Sequence, residues 1–230
     1  MTIDIHCHFY RRKEFLNSTC WDAEVEYLTT DMARIAGQAL TLDEVKRRFL
    51  PRWYDADGSA NIKRMDEAGI DKAVLLSMDL TAVFGPFPID VATQNEEIAQ
   101  VARRHPDRFI FCPQIEPQSP GALELFDRCL DEWGARAMKF YPITGFAPDD
   151  EKLTYPFYER LVARKLPLIV HIGSEPNPLY KCEGAHPRHL DRVLADFPKL
   201  TVIAAHFGLE WWRDLIMLGH EVTVFEALHK

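Results

Sequence analysis

The sequence predicts an α/β protein with helices packed on a parallel β-sheet, and three observations carry that prediction. Short apolar runs recur after residue 60, separated by helical patterns of about ten to fifteen residues. The runs are apolar along their whole length rather than alternating, which marks strands buried on both faces. Stop signals fence them: Gly69, Pro106, Gly134, Pro167 and Pro198.

Taken in order, the first strand is Ile3–His6. Residues Phe9–Gly58 then form a long insertion, with helical patterns at Asp22–Thr29 and Leu42–Leu50. It also holds Trp21, Trp53 and the basic group Lys46, Arg47, Arg48 and Arg52. A connection of that length after a strand is expected to cover a substrate site as a lid. The helix pattern Ala60–Gly69 leads into strand Ala73–Met78, and Val91–Arg104 into Phe109–Ile115. Ala122–Trp133 leads into Ala135–Tyr141, Tyr155–Arg164 into Leu166–Ile172, and His189–Phe197 into Leu200–His206. Leu209–Leu218 reads as a helix and Val222–Ala227 as a seventh strand.

Composition bounds the function. The 230 residues are 47% hydrophobic and 27% charged, the mixture of a single globular core, so residues 1–230 are expected to form one domain. With 27 Lys and Arg against 35 Asp and Glu, the net charge of −8 disfavours nucleic-acid backbones and anionic membranes as partners. No run approaches the ~20 apolar residues of a membrane span. The opening MTIDIHCHFY has polar groups where a secretion signal needs an apolar stretch. Five cysteines, an odd number without close spacing, suit reduced thiols in a cytoplasmic protein.

Four histidines carry the chemistry. His6 and His8 alternate along the first strand and so share a face, the geometry of two ligands to one divalent metal. His171 and His206 each close an apolar strand and precede a Gly-containing turn, at the carboxyl ends where parallel α/β folds build their sites. Lys139 ends the strand ARAMKFY; a buried ammonium there needs a partner, either a substrate carboxylate or conversion to a carbamate that bridges two metals. Cys7 falls on the opposite face from its histidine neighbours and reads as a small core residue.

The segments DIHCH, MKFYP, VHIG and AAHFG, in this order, resemble the amidohydrolase superfamily, in particular the amidohydrolase-2 branch that includes aminocarboxymuconate-semialdehyde decarboxylase. YPITGFAPDDEKLTYPFY and FGLEWWRD resemble that branch too. The resemblance implies a metal-dependent TIM-type (β/α)8 barrel, with His6, His8 and His171 as metal ligands and His206 activating a metal-bound water. It implies a divalent metal, zinc first and manganese second. Lys139 and the arginines of the insertion are expected to hold a carboxylate on a small substrate. The activity implied is hydrolysis or non-oxidative decarboxylation.

One departure stands out. The family takes a further aspartate ligand from strand eight, whereas this chain stops at VFEALHK, in or just after the seventh strand. The expected fold is therefore a barrel lacking its eighth strand. Glu226 and His229 lie on the wrong strand to replace the aspartate, and Asp214 falls in a helical pattern facing solvent. The length agrees, since an eightfold barrel takes about 250 residues. Unpaired edges favour a homodimer. They also give the rival reading, a truncated or degenerate barrel that does no catalysis and serves as an interaction subunit. A Gly-x-Ser-x-Gly elbow and the zinc-deaminase signature are both absent from the sequence.

Overall fold

The computed structural model describes residues 1–221, apart from 38, 49 and 176. Among these residues six strands lie in two parallel sheets of three. The first is ordered β1 (Ile3–His8), β2 (Lys72–Leu76), β3 (Phe109–Cys112); the second β4 (Met138–Phe140), β5 (Leu168–His171), β6 (Val202–Ala205). A parallel bridge between Gln114 and Lys139 joins β3 to β4, and the Arg136 and Lys139 amides donate to Phe111 O and Pro113 O. The strands thus run side by side in sequence order, each crossover returning through a helix.

The helices are α1 (Ser18–Ala36), α2 (Leu42–Arg48), α3 (Ser59–Ala68), α4 (Thr81–Phe84), α5 (Val91–Arg104), α6 (Ala122–Asp131), α7 (Tyr155–Arg164), α8 (Arg188–Asp196) and α9 (Trp212–Glu221). Their ends follow local chemistry. Asn17 caps α1 by accepting the Cys20 amide at 2.9 Å, and Asp90 caps α5 through the Thr93 amide at 2.9 Å. Thr41 and Glu44 form a reciprocal capping box on α2.

Alternation along the strands separates two cores. Ala73, Leu75, Phe109, Phe111, Met138, Phe140, Leu168 and Val170 face the helices. Val74, Leu76, Cys112, Ala137, Ile169 and Ala205 pack together on the other face, the interior of the curled sheet. Lys139 shares the face of Ala137, and His171 that of Ile169, so both side chains belong to the interior.

Several expectations need correction. No closed barrel forms among the described residues. The expected seventh strand Val222–Ala227, with Glu226 and His229, lies outside them. Strand 2 ends at Leu76 and strand 3 at Cys112, short of the expected Met78 and Ile115, because the chain turns there into buried polar networks around Asp79 and Gln114. The helix expected over Leu209–Leu218 is a 3-10 stretch, His206–Trp211, followed by α9. α1 is much longer than Asp22–Thr29, its exposed polar face having hidden its periodicity.

One glycine is set by close approach. A Cβ on buried Gly184 would stand 2.0 Å from the Phe146 carbonyl oxygen, where the 3-10 turns Pro142–Thr144 and Cys182–Ala185 meet. Gly184→Ala is therefore expected to destabilise the fold by about 1–3 kcal/mol, read as a lower denaturant midpoint. An unchanged midpoint would show that the two turns move apart freely.

Candidate active site

The strand ends bring all five predicted residues to one place. His6 Nε2 and His8 Nε2 are 3.1 Å apart. The His6 ring lies 4.8 Å from that of His206, and His206 lies 4.5 Å from His171. Lys139 Nζ stands 3.4 Å from His6 Nε2 and 5.3 Å from the centre of the Tyr141 ring. Contact between His6 on β1 and His206 just beyond β6 shows that the sheet curls until its first and sixth strands approach at their carboxyl ends.

Local backbone features place these groups. The β1–β2 register slips between Asp4 and Cys7, and Asp4 Oδ1 accepts the His6 amide at 3.0 Å. Such a bulge re-aims side chains beside a site. His206 has φ +64°, and Phe207 and Leu209 also have positive φ. This uncommon backbone is locked by neighbours: Glu210 accepts the Ser174 amide at 3.1 Å, and Leu209 packs on Gly173, where a Cβ would stand 2.9 Å from its side chain.

The electrostatics keep the histidines neutral. Burial, with the Lys139 and His206 charges adding to it, pushes His6 down to about 3; burial likewise takes His206 to about 4. Burial followed by His206 and Lys139 lowers His171 to about 2, and burial holds His8 well below the ordinary imidazole value. Lys139 is fully buried, which drops its amine to about 7.

The donor set fits a divalent metal in its chemistry. Two nitrogens bound at ~2.0–2.1 Å to one ion stand roughly 2.9–3.4 Å apart, and the His6–His8 pair falls in that range. His171 Nε2 faces the Gly173 carbonyl at 3.1 Å, while its buried Nδ1 has no hydrogen-bond partner. An imidazole that gives one N–H to a backbone carbonyl and keeps the other nitrogen bare has the arrangement of a metal ligand. Buried His8 Nδ1 is also without a partner. As the side chains stand, no group of three or more His, Cys, Asp or Glu among the described residues is arranged to hold an ion.

A cavity of about 660 Å³ opens beside the histidines. His6, His8, His206 and Tyr141 line one part of it; Tyr10, Trp53 and Met78 supply apolar walls; Arg52, Arg64, Asn61 and Glu24 supply polar groups. Tyr10, Glu24, Arg52 and Trp53 come from residues 9–58, which the bridge Tyr10–Tyr54 and the mutually packed Tyr10, Trp21 and Trp53 rings pin beside β1. Of the basic group singled out in the sequence, Arg52 reaches the cavity, whereas Lys46 pairs with Asp22 at 2.5 Å. Glu24, Asn61 and Arg64 carried no sequence signal, since each lies in an unremarkable helix; Tyr141 belonged to the MKFYP segment but was not singled out there.

The sequence model of the amidohydrolase family matches residues 3–227. The chain belongs to that family. A 2-keto-4-carboxy-3-hexenedioate hydratase of Sphingobium sp. is 29% identical over 134 residues, which are 50% of this chain and 39% of the hydratase. The match thus spans well under half of that relative. A TIM-barrel protein of Bordetella bronchiseptica superposes with a TM-score of 0.67 at 24% identity, covering 96% of this chain and 72% of that one. A 5-carboxyvanillate decarboxylase of Novosphingobium aromaticivorans, complexed with manganese and 4-hydroxy-3-methoxy-5-nitrobenzoic acid, gives 0.66 at 23% identity, covering 96% and 69%. The architecture of this amidohydrolase is therefore that of TIM-barrel proteins. No helix among its described residues is long and apolar enough to cross a membrane.

Proposed function

We propose that this chain is a divalent-metal-dependent lyase that decarboxylates or hydrates a small cyclic or unsaturated carboxylate, in one domain whose 9–58 segment covers the pocket. The observation that carries this reading is the cluster of four neutral histidines and a buried lysine, of which His6, His8 and His206 line a cavity that also presents Arg52 and Arg64. The names of the hydratase and the decarboxylase support lyase chemistry over amide hydrolysis.

His6, His8 and His171 would hold the metal, manganese or zinc. A divalent ion there supplies Lewis acidity and acidifies a water at neutral pH. His206, the most open of the four imidazoles, takes or returns a proton at a ring nitrogen. Lys139 and Arg52 orient the substrate carboxylate, and the Tyr10, Trp53 and Met78 walls exclude water from its apolar part.

The test is metal-dependent turnover of substituted benzoates and unsaturated di- and tricarboxylates by the purified chain, followed by ultraviolet absorbance. Chelation should abolish turnover and manganese should restore it. His206→Asn should lower turnover by about 10²–10⁴-fold with metal content retained. Loss of metal in that variant would make His206 a ligand. Absence of metal-dependent turnover on every substrate would favour the interaction-subunit reading.

A further inference from the structure

The cavity has a polar asymmetry that the reaction itself does not require. Arg52 and Arg64 are its cations, while Glu24, on α1, is the one carboxylate among its lining residues. Tyr180, from the loop after β5, donates its hydroxyl to Glu24 Oε1 at 2.9 Å. That bond fixes the carboxyl group between two segments far apart in sequence; burial raises its pKa above the ordinary carboxylate value, and the Tyr180 hydrogen bond works against that rise. Glu24 Oε2 has no hydrogen-bond partner among the described residues, which leaves an acceptor for whatever fills the pocket. Tyr10, Trp53 and Met78 shape the intervening space for a flat apolar body.

A fixed carboxylate in a partly desolvated pocket discriminates by charge. It accepts a hydrogen bond from a hydroxyl and repels a second carboxylate, since like charges brought together in a partly desolvated pocket are unfavourable. Resting on the carboxylate-binding function proposed above, we infer that Glu24 is the specificity-determining residue of this pocket. It selects monocarboxylates that carry a hydrogen-bond donor and rejects dicarboxylates of the same size. Tyr180 acts through Glu24, as a positioning residue.

The experiment is calorimetric titration of the manganese-loaded chain with benzoate, 3-hydroxybenzoate and benzene-1,3-dicarboxylate. The expected order of affinity is hydroxybenzoate, then benzoate, then the dicarboxylate, with about tenfold or more between first and last. Glu24→Gln, a neutral isostere, should tighten dicarboxylate binding several-fold while benzoate still binds. A gain of affinity cannot come from a damaged fold. Glu24→Ala should lower hydroxybenzoate affinity more than benzoate affinity. The inference is overturned if Glu24→Gln gains no dicarboxylate affinity, or if Glu24→Ala weakens all three ligands equally. Failure of the unaltered chain to bind any of the three would instead sink the carboxylate-binding function.

Discussion

Replacing His8 by alanine is expected to strip the divalent metal from the chain and to cut turnover by more than about a hundredfold, the upper range already seen for outer-shell partners. His8 combines three features of a ligand. Its Nε2 faces His6 Nε2 at 3.1 Å, its buried Nδ1 has no partner, and burial holds it neutral. Removing it leaves His6 and His171 to hold an ion that structural and catalytic sites bind with three protein ligands or more. Elemental analysis after gel filtration gives the metal per chain, and circular dichroism reports whether the fold survives. His105→Ala is the matched control, because His105 is remote from the cluster and bonds the Asp57 carbonyl at the end of α5; its metal content should equal that of the unaltered chain. Full metal and full turnover in His8→Ala would remove His8 from the ligand set.

Lys139→Met is expected to move stability and activity in opposite directions. The amine is fully buried beside His6 and the Tyr141 ring, and burial has already pushed its pKa down to about 7. A sealed polar group with so few partners costs roughly 1–3 kcal/mol, and methionine fills similar space without that desolvation. The denaturant midpoint should therefore rise while turnover falls at least about tenfold, the trade-off typical of groups kept for function. A fall in both would make the amine a structural partner of His6. The metal content of the same variant separates two roles: an unchanged value places the amine against substrate, and a drop from two metals to one identifies a bridging carbamate.

Much of this was legible in local pattern. Apolar runs fenced by Gly and Pro located five of the six described strands, β2 to β6, because a strand buried on both faces has no alternation to conceal it. His6, His8, Lys139 and His171 could be placed at strand ends because side-chain direction follows a period of two. Strand lengths were overestimated at Ala73–Met78 and Phe109–Ile115, since a side chain's hydropathy does not reveal whether its backbone pairs with a neighbouring strand or with buried Ser77, Asp79 and Gln114.

By itself the sequence determined the α/β alternation, the histidines at the strand ends and their fitness for a divalent metal, because these depend on residue type and short-range period. The tertiary structure alone decided how they face one another. Counting by twos puts His206 on the side of Ala204, among the helices; a φ of +64°, held by Leu209 on Gly173 and Glu210 on Ser174, brings its ring to His6 and His171. Glu24, Arg64 and Tyr180 likewise meet around the cavity through packing between segments more than a hundred residues apart in places. Backbone strain and long-range contact are properties of the folded chain, and no local window of residues encodes them.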